Sequence, residues 1–386
     1  MKAVKVKENI YWVGALDWNL RNFHGYSTEK GVTYNAYLII DEKITLIDTV
    51  KGYMADEMLE RISSVVDPAK IDIVVCNHVE MDHSGALPKL MEIIPNAKII
   101  TCPNGEKGLK AHYKKDWDFQ VVKSGESISI GKRNISFITT PMVHWPDNMV
   151  AYIPEEKLLF SNDAFGQHIT TSERFDDECK LSEIIDAAAK YYANIVMPYG
   201  MQTNKALKDA ATLEIEMIAP SHGLIWRSHV KEILENYSKW VSNQPAKKAV
   251  IVYDTMWGST ATIAKMLYSS FEEKGYAIQY LPLQENHISD IMTHVLDAEY
   301  ICVGSPTLNN NIMPNVAAFL AYFKGLSPKK RKAIAFGSYG WSGQSVGLVE
   351  EALKEAGLEV VDTIRLQYVP DTKDLDESKN RIMEKI

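Results

Sequence analysis

Cysteine is scarce. The 386 residues hold four, Cys76, Cys102, Cys179 and Cys302, and none forms a Cys-x-x-Cys pair. That excludes a zinc ribbon or a thiolate-ligated iron site, and in a chain this long it argues against a disulfide framework. Positive charge is also short: 42 Lys and Arg stand against 50 Asp and Glu, a formal net charge of -8. A nucleic-acid binder would need a basic footprint instead. The opening "MKAVKVKENIYWVG" lacks the apolar core of a signal peptide, and no apolar run reaches bilayer-spanning length. Repeats and low-complexity segments are missing too. The expectation is a cytoplasmic protein with no nucleic-acid or membrane partner. A small acidic or neutral substrate, or a protein partner, remains open.

Hydrophobic residues are plentiful, at 46%, enough to build sizeable cores over two or three domains. In the first part, strand-like runs turn back on themselves. "YNAYLIIDEKITLIDTV" reads as a hairpin turning at Asp41 to Lys43, "ESISIGKRNISFITT" as one around Gly131, and "MVAYIPEEKLLFSND" as one around Glu155 and Glu156. Helical patterns such as "MADEMLERISSVV" and "LSEIIDAAAKYYANI" lie between them. Hairpins mixed with helices imply a layered α+β domain. The texture changes at the polar stretch Ser242 to Lys247, which holds Pro245 and is the expected linker. Beyond it, apolar strands alternate with helices, the pattern of a doubly wound parallel sheet. The expected domains are 1-245 and 246-386.

The stretch "NHVEMDHSG" crowds His78, Glu80, Asp82 and His83 into six residues. The strand-like "IDIVVC" precedes it and the helical "ALPKLMEII" follows, so the four side chains are expected on the loop leaving a strand's C-terminal end. Layered α/β folds place chemistry there. His78 and Glu80 could serve one metal, and Asp82 and His83 a second. The alternative is a polar loop with no metal. Three further residues sit in similar settings: His144 in "MVHWPDN", Asp163 in "FSNDAFG" and His222 in "PSHGL". Together they make four imidazoles and three carboxylates, enough for two metals sharing a bridge.

A second constellation lies past the linker. The first strand runs into "DTMWGST" and then a helix, whose N-terminal N–H groups suit an anion. Thr255, Ser259 and Thr260 add hydroxyls, and Gly258 allows a sharp turn. No Lys is present, so this is not an NTPase P-loop. Two more loops, "GSPTLNNNIMP" and "GSYGWSG", follow later apolar strands. In a doubly wound order all three meet at the C-terminal edge of the sheet, at the switch point. Trp341 and Tyr339, set among glycines, could cover a planar ligand.

His-x-Glu-x-Asp-His, then His-Trp-Pro-Asp, then "NDAFG" and Ser-His-Gly, together with the three loops, resemble the flavodiiron proteins over essentially the whole chain. The resemblance implies an αββα metallo-β-lactamase-like domain followed by a flavodoxin-like one, with two non-haem irons and FMN. It implies that His78, Glu80 and His144 hold one iron, that Asp82, His83 and His222 hold the other, and that Asp163 bridges them. Hydrolases of this fold usually carry His where Glu80 stands, and bind zinc. A carboxylate there adds negative charge and a hard oxygen donor, which favours iron in its higher oxidation state. His24 matches a family histidine near the irons, and Tyr192 is a candidate pocket phenol; both enter as catalytic candidates. His168 is a weaker one, and His112, His229, His287 and His294 read as surface or structural. For FMN, the resemblance assigns the phosphate to Thr255, Met256, Trp257, Gly258, Ser259 and Thr260. It assigns the ring to Pro306, Thr307, Leu308, Asn309, Asn310, Ser338, Tyr339, Gly340 and Trp341. Trp257 departs from the smaller residue of free flavodoxins.

The implied reaction is reduction of dioxygen to water or of nitric oxide to nitrous oxide. Four electrons for dioxygen would come from the two irons and the reduced flavin. No Cys₄ module accompanies the two domains, so the donor is expected to be a separate rubredoxin or, failing that, a deazaflavin cofactor. A head-to-tail homodimer, or a dimer of dimers, is the expected assembly. The competing readings are a zinc hydrolase with a regulatory flavodoxin-like domain, and a non-catalytic flavin electron carrier or sensor.

Overall fold

A computed structural model describes residues 1–386. The chain divides into two compact units. One comprises Met1–His24, Thr28–Tyr192 and Tyr199–Ser238; the other comprises Gly25–Ser27, Ala193–Pro198 and Lys239–Ile386.

The first unit is a sandwich of two sheets. Sheet one runs β1 (Val4–Lys7), β2 (Ile10–Trp12), β3 (Tyr37–Ile39), β4 (Thr45–Ile47), β5 (Ile73–Val75), β6 (Lys98–Thr101) and β7 (Phe119–Val121), in that spatial order. Pairing is antiparallel up to β3–β4 and parallel from β4–β5 onward. Sheet two runs β8 (Ser127–Ser129), β9 (Asn134–Thr139), β10 (Met149–Ile153), β11 (Leu158–Asn162) and β12 (Met217–Pro220), antiparallel except for the parallel β11–β12 pair. The three expected hairpins are therefore β3–β4, β8–β9 and β10–β11.

Alternation along each strand sorts the core. Ile39, Ile47, Val75 and Ile100 meet Phe137, Ala151, Phe160 and Ala219 between the sheets. Their neighbours Leu38, Leu46, Val74 and Ile99 face the other way, against Met58, Ile62, Leu87 and Leu90. Met58 and Ile62 lie on helix α1 (Ala55–Ser63), whose apolar positions share one face.

The second unit is a five-stranded, all-parallel sheet of β13 (Ala246–Tyr253), β14 (Ala277–Pro282), β15 (Ala298–Gly304), β16 (Lys332–Tyr339) and β17 (Glu359–Gln367). The spatial order is β14-β13-β15-β16-β17. That is the 2-1-3-4-5 order, with its switch point between β13 and β15.

Two local expectations are corrected. β13 begins at Ala246, so Lys247 belongs to the strand and the polar link shortens to 243–245. The Ala246 N–H donates to the Asp297 carbonyl at 2.8 Å and Lys248 pairs with Asp297, which draws this polar end into the sheet. Asp82 and His83 lie on a helical turn, Met81–Ser84, rather than on an irregular loop. The Ser84 hydroxyl donates to the Val79 carbonyl at 2.6 Å and the His83 and Ser84 N–H groups donate to the Glu80 carbonyl, closing the turn.

Candidate metal centre and cofactor cleft

The seven candidate ligands converge. His78 and Glu80 leave β5 in extended backbone, where residues two apart share a face, while the intervening Val79 is buried behind them. The helical turn then swings Asp82 and His83 to the neighbouring position. Asp163 leaves β11, His222 leaves β12, and His144 sits between β9 and β10.

Asp163 stands between two groups. Its Oδ2 lies 3.6 Å from His78 Nε2 and 3.5 Å from His144 Nε2. Its Oδ1 lies 3.1 Å from His83 Nε2 and 3.4 Å from His222 Nε2. Glu80 Oε2 joins the first group, 3.3 Å from His78 Nε2 and 3.4 Å from His144 Nε2. Asp82 joins the second, with Oδ2 3.3 Å from His222 Nε2 and Oδ1 3.4 Å from His83 Nε2. Donors about 2.1 Å from one ion, spread at right or tetrahedral angles, are about 3.0–3.4 Å apart. The spacing therefore fits two ions, with one carboxylate oxygen directed to each.

Burial supports the same reading. Both Asp82 oxygens, Asp163 Oδ2 and His83 Nε2 are buried and have no hydrogen-bond partner. Orphans of this kind each cost about 1–3 kcal/mol unless something satisfies them, and a cation would. The donors are all nitrogen and oxygen, a set that suits iron as well as zinc.

Outer partners aim the rings. His222 Nδ1–H donates to the Thr33 carbonyl at 2.6 Å, leaving Nε2 inward. His78 Nδ1 lies 2.8 Å from Asp147 Oδ2, which also accepts from the Val79 N–H at 2.8 Å. Asp48 accepts from Asn77 through both backbone and side chain, fixing the residue before His78. Burial resists charge here, but the mutual field overrides it. The His83, His144 and His222 imidazoles hold the Asp163 carboxyl well below the usual range. Against burial, Asp163 and Glu80 raise His144 to about 9, and Asp163 and Asp82 raise His222 to about 10.

Of the two catalytic candidates, only His24 is at the cluster. It is exposed, with Nε2 3.0 Å from Glu80 Oε1, and its φ of +53° turns the chain at the rim. Tyr192 is a correction. It is fully buried and packs edge-on against Tyr237. The neighbouring Tyr191 supplies the phenol instead, its hydroxyl donating to Asp163 Oδ1 at 3.0 Å. Tyr191 ends the helix α2 (Leu181–Tyr191) and Tyr192 opens the π-helical turn Tyr192–Val196; successive side chains on a helix point about 100° apart, so the two do not share a face. His168 packs edge-on against both Tyr191 and His222.

In the second unit, a cleft of about 650 Å³ opens beside the switch point, within the usual range for small-molecule sites. The first loop is tied down by Asp254, whose Oδ1 accepts from the Thr255 N–H and from Gln284. Gly258, at φ +88°, caps the helix Ser259–Glu273; no atom lies within 4 Å of where a Cβ would stand, so the backbone angle is what calls for glycine. In the second loop Leu308 and Asn311 exchange backbone hydrogen bonds around Asn309 and Asn310, both at positive φ. Asparagine tolerates that conformation best among residues with a side chain. The loops are pinned together by Thr260 to Ser338 and by Thr307 to Ser345, each at 2.9 Å.

Met256, Trp257, Ser259, Pro306, Thr307, Asn309, Asn310, Ser338, Tyr339, Gly340 and Trp341 line the cleft. Thr255, Gly258, Thr260 and Leu308 do not; they shape or anchor the loops from behind. Tyr368 and Val369, just past β17, complete the lining and were missed. Their signal was two apolar residues directly after the last strand of the sheet.

Residues 32–223 match the family model described as ODP family beta lactamase, and residues 251–380 match Flavodoxin. The chain is 46% identical over 381 residues to a nitric oxide reductase of Moorella thermoacetica, covering 97% of this chain and 96% of that one. Its fold matches a rubredoxin oxygen:oxidoreductase from Desulfovibrio gigas with a TM-score of 0.97 at 43% identity, covering 100% and 98% of the two chains. It matches a flavodiiron protein from Giardia intestinalis with a TM-score of 0.97 at 36% identity, covering 100% and 96%.

Proposed function

The chain belongs to the flavodiiron proteins, and on that footing we propose that it reduces dioxygen to water, nitric oxide to nitrous oxide, or both. The supporting observation is Asp163, which offers one carboxylate oxygen to each of two donor groups. His78, Glu80 and His144 would hold one iron, Asp82, His83 and His222 the other, with Asp163 common to both. Bound there, the irons together with FMN supply the electron chemistry.

The side chains around them have separate tasks. Asp147 and the Thr33 carbonyl keep Nε2 of His78 and His222 turned inward. Tyr191 donates to Asp163 Oδ1 and so orients that carboxylate. His24, exposed and held on Glu80, can exchange protons with solvent at the mouth of the site, and either reduction consumes protons. In the cleft, the N–H groups of Met256, Trp257, Ser259 and Thr260 would take the FMN phosphate, since those of Thr255 and Gly258 are already engaged within the loop, and Tyr339 and Trp341 would cover its ring.

The domains are assigned as 1–245 and 246–386. The donor is an external rubredoxin, in keeping with the similarity to a rubredoxin oxygen:oxidoreductase, with a deazaflavin as the lesser choice. The working assembly is a head-to-tail homodimer or a dimer of dimers, which brings one subunit's FMN to the other's irons. A monomer with full turnover in light scattering would remove that part. No helix is long and apolar enough to cross a membrane, consistent with a cytoplasmic site of action.

The test is to reduce the protein anaerobically, offer each gas separately and follow its consumption, with iron and FMN counted in the same sample. Fully loaded protein that consumes neither gas catalytically would end the proposal.

A further inference from the structure

The outer face of sheet two carries a cavity that the proposed chemistry leaves unused. It measures about 40 Å³ and lies between that face and the helix Gly200–Ala210. Ile138, Val150 and Leu159 line it from the sheet side, and Leu207 and the Tyr237 ring from the helices. Two of the four hydroxyls in the wall already have acceptors, Ser161 donating to the Ala164 carbonyl at 2.7 Å and Thr203 to the Tyr199 carbonyl at 3.0 Å, and the Tyr237 hydroxyl takes the Phe165 N–H at 2.8 Å; Thr140 is the fourth. A water needs about 10–15 Å³ and two to four polar partners. The room is there, but most of the lining is apolar, so the cavity favours an apolar occupant over water.

Its position matters as much as its lining. Val143 and Ala164 form part of the wall, and they are the immediate neighbours of His144 and Asp163. The same two loops present would-be ligands on one side and the cavity wall on the other. Across the cavity, Ala206 and Leu207 are only half-buried, so the cavity lies close to the surface.

We propose that this cavity binds an apolar diatomic gas and feeds it to the metal centre past Val143 and Ala164. The inference rests on the reading of the chain as a gas reductase. An uncharged diatomic is driven from water into apolar space as other apolar solutes are. Water, as a product, finds few groups there to hold it.

Xenon is the probe, because it reports the cavity without turnover. Crystals of the full-length protein pressurised with xenon should show an atom against Val143, Ala164 and Leu207; an empty cavity overturns the proposal. Leu207→Trp should abolish that xenon site. It should also raise the apparent KM for the gas about tenfold, with kcat at saturation and the iron and FMN contents within about twofold of wild type. Loss of xenon with an unchanged KM overturns the feeding role. Should Leu207→Trp fail to fold, Ala206→Leu makes the same test with a smaller expected rise, since filling a void is readily tolerated. Wild type that binds xenon but turns over neither gas overturns both the feeding role and the proposed function. Wild type that turns over gas and binds no xenon overturns the cavity alone.

Discussion

At the metal centre, His78, Asp82, His83, Asp163 and His222 are all buried, and His78, Asp163 and His222 are each steered by a partner behind them. At the flavin cleft, Trp257 and Trp341 stand 95% and 77% exposed, and the loops are fixed through their backbone and small hydroxyls. The difference follows from what each ligand demands. An ion tolerates only tenths of an ångström, so its donors must be positioned before it arrives, at the cost of burying charge. A flavin brings a broad rigid plane and a phosphate, so the protein needs only a shaped loop and uncovered aromatic faces. Damage at the first site should therefore be steep and tied to charge, and at the second shallow and tied to area.

Asp163→Asn should break the contrast most severely. It keeps the shape but removes the charge that four imidazoles share, and both donor groups lose their common oxygen. Iron per chain, measured by elemental analysis, should fall to a small fraction of wild type, while FMN absorbance per chain is unchanged. Retention of both irons would show that Asp163 is dispensable as a bridge.

Acidity should separate the sites next. In the metal-free fold, the neighbouring carboxylates raise His144 to about 9 and His222 to about 10 against the pull of burial. Both are therefore protonated at neutral pH and must release a proton to bind metal. Lowering the pH by one unit should weaken anaerobic ferrous loading about tenfold for each proton displaced. The flavin phosphate changes charge only near about pH 6, so FMN retention between about pH 7 and 9 should stay flat. A ferrous titration that is also flat would mean that the histidines are neutral before the ion arrives.

Much of this was legible because it is local. A hairpin is set by alternation over a few residues, and the run from His78 to His83 falls between a strand and a helix, so its side chains had to share one edge. What stayed hidden depends on phase or on backbone. Tyr191 and Tyr192 are indistinguishable until the helix fixes which one faces Asp163. The Thr33 carbonyl that aims His222 has no side-chain signature, and Asp48 looked like any acid at the end of a strand. Tyr368 and Val369 reach the cleft only because β17 is the outermost strand beside β16, an adjacency that topology supplies.

Asp147 tests whether the partners behind the ligands carry weight. It receives the Val79 N–H and faces His78 Nδ1, so Asp147→Ala frees the ring to rotate and to change tautomer. Removing an outer partner of this kind typically costs about 10–100-fold in metal affinity. Competition with a chelator should show that loss for one of the two ions, with the other nearly unchanged. An equal loss of both would mean that Asp147 supports the whole loop rather than one ligand.

The smallest effect belongs to the flavin side. Trp341 touches the cleft yet is mostly bare, so its face is available for a ring to cover. An aromatic stack contributes about 0.5–1.5 kcal/mol beyond simple area, which corresponds to about a 2–13-fold change in affinity. Trp341→Ala should weaken FMN binding by that much in a fluorescence titration, with iron content untouched. Trp257→Ala is the sharper comparison. Trp257 sits beside Gly258 on the loop proposed to hold the phosphate, where backbone N–H groups would do the holding, so its removal should matter less than that of Trp341. If Trp257→Ala proves the more damaging, the ring lies against the first loop, and the assignment of Trp341 as its cover must be exchanged.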